Sequence, residues 1–423
     1  MKPSLATEMA PPFILVAHFF IAGIVFLSLS GVGLLSMSAD SLGSFLSLSL
    51  AAFSHLYLLG FVMMIIFGAM YQLLPVVLEA PIFSKDFAYV QFYMYVIGVA
   101  LMVSGFSVST LHLLIPYGAV ITYLSMAIFC VNVFMTFYRL EKIRLIGWFL
   151  LIATLFLFVS VTLGLLIGLT LEHGLLEIDI DAWVKAHIIG TLGGFVMMIV
   201  MGVSMVLIPM FSLSHGFSDM WIKRALSVYT LGIALGMATF VFGLDNFFKF
   251  TALALMFLGM AFYLIQMVIV MRQRVRKQND YWVKNSVFAW VSLSVSMLSV
   301  SVYALKGEEK FAMLFGVFFF FGFLLSFIVG HIYKILPFLI WYEKFSPLVG
   351  KQKVPLLHQM VHTKTANTQT YSLWLAVILQ ASGILMQEQK VFFYGSVILL
   401  LSLVLVAFNA MYAFNFKIKE NEK

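Results

Sequence analysis

Four histidines of this 423-residue chain lie in stretches that are otherwise apolar: His18, His55, His187 and His331. A neutral imidazole is costly to bury in hydrocarbon without a partner, so each must hold a metal or make a hydrogen bond. Imidazole nitrogen suits haem iron and, second, copper. A hydrogen bond asks only for a backbone carbonyl or a hydroxyl, and Ser54, Tyr57 and Thr191 are close in sequence. For His18 and His331 the hydrogen-bonded reading is preferred; for His55 and His187 both readings stand.

Three of the four sit on segments that share one register. Gly60-Phe61 with Gly68 and Pro75 is matched by Gly194-Phe195 with Gly202 and Pro209, and by Gly322-Phe323 with Gly330 and Pro337. The copies lie 134 (194 minus 60) and 128 (322 minus 194) residues apart, a period that implies a repeated module of several helices. In this frame His55 stands five residues before its first Gly, His187 seven before, and His331 directly follows its second Gly. His331 is thus fourteen positions deeper than His55 (nine plus five), about 20 Å along a helix, and cannot share its ligand set.

The elements that carry these residues follow from composition. With 63% hydrophobic residues, 10% charged and a mean hydropathy of +1.05, the chain is a polytopic membrane protein. Apolar segments long enough to span, about 20 residues each, are read near 12–37, 45–78, 88–106, 110–138, 145–171, 183–212, 221–243, 247–271, 283–305, 311–341, 370–386 and 391–416. Twelve helices divide into three groups of four, and the repeated register falls on the second, sixth and tenth. The expected fold is all-α: a single membrane domain of twelve transmembrane helices in three pseudo-symmetric four-helix arcs, with repeats at about 12–140, 141–277 and 278–423.

Arg139, Lys142, Arg144, Lys223, Arg224, Arg272, Arg274, Arg276, Lys277, Lys351, Lys353 and Lys364 fall in alternate loops, which places that side and both termini in the cytoplasm. The net charge of +7 is therefore a topology signal, and nucleic acid is excluded as a partner. No cleavage site follows the first span, and the single cysteine, Cys130, excludes an internal disulfide. The largest break between spans is expected from Lys344 to Gln369.

All eighteen Asp and Glu lie in loops or at helix ends, which disfavours a proton-driven pump. Lys334 is read as snorkelling to the headgroups, and Trp183, Trp221 and Trp282 as members of the interfacial aromatic belt. Met63, Met64, Met197 and Met198 are read as core packing rather than copper ligands. His358 and His362, in HQMVH, have helical i, i+4 spacing but no zinc-protease Glu, and read as a surface turn.

The stretch from His55 to Pro75, HLYLLGFVMMIIFGAMYQLLP, resembles the metal-ligand helices of the catalytic subunit (subunit I) of haem-copper respiratory oxidases, the cbb-type in particular. It is similar also to the second helix of the NnrS family of nitric-oxide-response membrane proteins. The likeness covers all twelve helices in topology and three short motifs in sequence. It implies a bacterial inner-membrane location and haem as cofactor. It also implies other membrane subunits or a c-type cytochrome as partners beside the lipid bilayer.

Departures from the oxidase pattern limit the activity. That family's oxygen-reducing centre takes three histidines for copper, with an adjacent pair on the seventh helix, and a His-x-His on the tenth for two haems. Here Trp221 to Gly243 holds no histidine, and the tenth-helix equivalents of His187 and His55 are Phe315 and Val317. Reduction of oxygen or nitric oxide at a binuclear centre is not expected. Rotating the family's arrangement through the pseudo-threefold axis brings the helix-2 and helix-6 sites to one pore. The resemblance thus implies haem b, or else copper, held by His55 and His187, with Gly60 and Gly194 letting a flat macrocycle approach the backbone.

The expected role is electron transfer, or the sensing or handling of nitric oxide or copper stress. A non-enzymatic transporter or assembly factor for haem or metal is the second class. A divergent terminal oxidase subunit is the third.

Overall fold

The structure is a computed structural model that describes residues 11–37 and 47–418. Among the described residues there are twelve helices long and apolar enough to cross a membrane and no strand, so the chain is an all-α, multi-pass membrane protein. In chain order they are α1 Phe13–Leu35, α2 Leu48–Leu78, α3 Lys85–Ser107, α4 Leu114–Tyr138, α5 Leu145–His173 and α6 Ile180–Ser212. There follow α7 Met220–Val241, α8 Asn246–Arg272, α9 Tyr281–Lys306, α10 Glu309–Lys344, α11 Thr363–Met386 and α12 Gln389–Phe414.

Several acids that the sequence places at helix ends have a defined task there. The carboxylates of Asp179, Asp245 and Asp280 accept from the backbone N–H of Ala182, Phe247 and Val283, capping α6, α8 and α9. Ser47 and Ser84 do the same for α2 and α3. Each cap satisfies a donor that lipid would leave unpaired.

α11 begins at Thr363, earlier than the expected 370, which shortens the preceding break. Its first two turns read TKTANTQT, too polar to register as a span. The polarity is internal. Gln369 is buried, donates to Ser402 Oγ at 3.1 Å and accepts from Tyr333 at 3.2 Å, while Thr370 bonds back to Ala366 O.

The three register helices share a backbone irregularity. α2, α6 and α10 turn from α to π geometry over Leu58–Met63, Ile189–Met197 and Val317–Leu325. All three π segments end at one repeat position, since 63 plus 134 is 197 and 197 plus 128 is 325. A π turn widens the helix and frees carbonyls from the regular ladder. Tyr57 uses one of these, donating to Phe320 O at 2.7 Å. The leading glycine of each motif lies in its π segment, and its bare Cα lets the preceding helix close in. A Cβ on Gly60 would stand 2.7 Å from Phe26 of α1, on Gly194 2.7 Å from Phe156 of α5, and on Gly322 2.6 Å from Ser292 of α9.

A second threefold pattern escaped the sequence reading. The third and fourth helices of each group meet through reciprocal glycines, each facing the partner's backbone. A Cβ on Gly98 would lie 2.7 Å from Thr122 N, and one on Gly118 would overlap Met102 N. For Gly232 and Met256 N the distance is 2.7 Å, for Gly259 and Tyr229 Cα 2.8 Å, for Gly383 and Phe392 N 2.5 Å, and for Gly395 and Gln380 N 2.8 Å. Lipid offers helices no hydrophobic reason to associate, so close backbone contact at small residues does that work.

Two readings change. Lys334 does not snorkel: its Nζ donates to Asp280 Oδ2 at 2.6 Å, with the two side chains 15% and 11% exposed. Trp282 is not in the lipid-facing belt but buried at 2% exposure. In both cases the partner comes from another helix. The described chain divides into two compact units, Met1–His18 with Ile66–Gln278, and Phe19–Ile65 with Asn279–Lys423. The first holds His18 and His187; the second holds His55 and His331.

Candidate functional site

His187 stands on the first turns of α6, just before the π segment, and its ring rests on α5. Its Nδ1–H donates to the Ser160 carbonyl at 2.7 Å. A carbonyl can only accept, so the proton is on Nδ1 and the lone pair on Nε2. The ring lies flat against Gly164, where a Cβ would be 2.7 Å from its Cε1. Neither Ser160 nor Gly164 was singled out from the sequence. Their only signal is a small-residue spacing of four on α5, which gains meaning once α6 packs there. Gly190 adds to the same contact, because a Cβ there would overlap Ser160 Oγ and approach Met237 Sδ at 2.8 Å.

His55, in the other unit, shows the same protonation by a shorter route. Its Nδ1–H donates to Ala51 O, one turn back on α2, at 2.7 Å. A ring anchored in this way presents Nε2 as the donor atom to a metal, the orientation that second-shell hydrogen bonds give to ligating histidines. At both positions the donor chemistry therefore fits an axial ligand of haem iron. The spaces beside Gly60 and Gly194 are taken by Phe26 and Phe156, so in the structure these glycines bring helices together.

His331 is anchored alike but closed. Its Nδ1–H donates to Phe327 O at 2.7 Å, and its Nε2 accepts the indole N–H of Trp282 at 3.3 Å. Both nitrogens are engaged inside a buried pocket of its own unit. Trp282→Phe is expected to leave Nε2 without its donor at a cost of about 1–3 kcal/mol, read as a lowered unfolding midpoint in detergent. His18 is different again: its ring stacks on Phe92 at 5.4 Å and 17°, and its buried Nδ1 has no hydrogen-bond partner among the described residues.

On α10 the equivalent of His187, Phe315, begins a ladder of rings, and the equivalent of His55 is Val317. Phe315, Phe319, Phe323, Phe327 and His331 follow one another at centroid spacings of 5.3, 5.5, 6.0 and 4.2 Å. Met63, Met64, Met197 and Met198 are buried, as core residues are. His358 and His362 are not on one helical face, because the turn Leu357–Met360 is 3₁₀ and Val361 is extended. His362 instead caps α11, its Nδ1 facing Thr365 Oγ1 at 2.6 Å. Among the described residues no group of three or more His, Cys, Asp or Glu gathers to hold a metal ion, which a two-imidazole haem site would not need. No protein-family model and no curated protein matches this chain.

Proposed function

We propose that this multi-pass membrane protein binds haem b, for which His187 in one unit and His55 in the other are each a candidate ligand. Its role would be electron transfer or the handling of nitric oxide or copper stress, rather than oxygen reduction. The observation that carries the reading is the state of the two rings. Each gives its Nδ1 proton to a backbone carbonyl, which fixes the tautomer and orients the ring as a second-shell hydrogen bond does for a metal-bound imidazole. When bound, the haem would supply a one-electron couple; the chain supplies ring orientation and a water-poor surround. A c-type cytochrome or another subunit of a bacterial inner membrane is the partner class such a haem would serve.

The test is a reduced-minus-oxidised spectrum of protein purified from haem-replete cells, with iron and copper assayed on the same sample. A sharp b-type alpha band with stoichiometric iron is expected. His187→Ala and His55→Ala are each expected to abolish the low-spin band, and Gly164→Ala to perturb it by pushing the His187 ring off α5. An unchanged band in either alanine variant removes that residue from the ligand set. Iron-free protein overturns the reading and turns attention to transport or assembly.

A further inference from the structure

Lys284 lies one turn inside α9, on the side whose loops are rich in Lys and Arg. A lysine at this depth ordinarily extends to water or pairs with an acid. This one does neither. Its Nζ is turned sideways onto α11, donating to Asn367 Oδ1 at 3.0 Å and to Tyr371 OH at 2.9 Å, and lies 4.9 Å from the Tyr371 ring centroid. All of these partners are neutral, and among the described residues Lys284 has no carboxylate partner. Lys334, at similar depth on α10, is neutralised by Asp280. Among the described residues no carboxylate answers the Lys284 charge, and of its three N–H donors two are engaged.

What lies around that ammonium describes the missing partner. Lys364, Asn367, Tyr371 and Trp374 follow at spacings of three, four and three, which puts them on one stripe of α11. Lys364 is exposed at its mouth and likewise has no carboxylate partner among the described residues. Below the two cations the wall becomes aromatic. Phe288 of α9 stacks on Trp374 at 5.1 Å and 21°, and Tyr371, 51% exposed, meets Trp374 edge-on at 5.5 Å. A cationic mouth above an apolar, aromatic wall on the membrane-facing surface matches one molecule that every such membrane contains.

We propose that the groove between α9 and α11 is a binding site for an anionic glycerophospholipid of the leaflet on the Lys/Arg-rich side. The phosphate is held by Lys284 and Lys364, and an acyl chain lies along Phe288 and Trp374. The inference is independent of haem binding.

The experiment titrates the detergent-purified full chain with phosphatidylglycerol and with phosphatidylcholine of identical acyl chains, read by native mass spectrometry. Wild type is expected to prefer phosphatidylglycerol. Lys284→Gln is expected to weaken that binding about fivefold, the effect of one cation at a membrane surface, whereas Lys284→Arg keeps it. Lys364→Gln is expected to weaken it too and serves as the reading if Lys284→Gln fails to fold. Lys223→Gln, in the first turn of α7 in the other unit, should change nothing. The proposal is overturned if neither glutamine variant at the groove weakens binding, if Lys223→Gln weakens it as much, or if millimolar inorganic phosphate displaces the lipid completely.

Discussion

Asp280→Ala is expected to destabilise the protein by about 3 kcal/mol or more, because it removes the carboxylate that pairs with Lys334 in a site that water barely reaches. The pair is 2.6 Å long, with side chains 15% and 11% exposed, so screening is weak but not absent and the lower part of the range for buried pairs applies. Alanine also removes the cap on Val283 N, worth about 1 kcal/mol. Asp280→Asn keeps a cap and should be milder. The double variant Asp280→Ala, Lys334→Met should recover most of the loss, since an apolar side chain replaces a charge without its carboxylate. SDS-driven unfolding of the four proteins checks this, and a double variant no better than Asp280→Ala would show that the ion pair contributes little.

Gly118→Val is expected to abolish monodisperse, folded protein. Overpacking a core with movable side chains costs about 1–3 kcal/mol; here the obstacle is the backbone nitrogen of Met102, which cannot turn aside. α3 and α4 would have to separate along their length. Gly316→Ala is the control, because a Cβ there meets nothing within 4 Å and alanine is the better helix former. Size-exclusion profiles should separate the two, and a normal profile for Gly118→Val would contradict the close contact of α3 with α4.

Much of this architecture was legible because lipid imposes a coarse rule. Spanning segments must be long and apolar, so run length located all twelve, and the Gly, Gly, Pro register singled out the three helices that adopt π geometry. The rule failed where a span buries polarity. Hydropathy reads the polar start of α11 as a loop because Gln369 and Thr370 count against it, although both are satisfied inside the bundle. The reciprocal glycines of α3 and α4, α7 and α8, and α11 and α12 were invisible for another reason. Their spacing along the chain differs from group to group, since connecting loops differ, and only their spatial opposition repeats.

The histidines divide along the same line. That His18, His55, His187 and His331 needed partners followed from residue type and an apolar setting alone, which requires no coordinates. Which partners His187 and His331 took could not follow from sequence. His187 reached Ser160 across 27 positions of chain and His331 received Trp282 across 49, contacts that exist only once helices have packed. The sequence by itself determined the solvent, the number of spans, the repeat and the residues able to do chemistry, because those depend on local composition and period. Tertiary structure decided tautomer, charge pairing and close backbone approach, because each is a distance of a few ångströms between groups that the chain holds far apart.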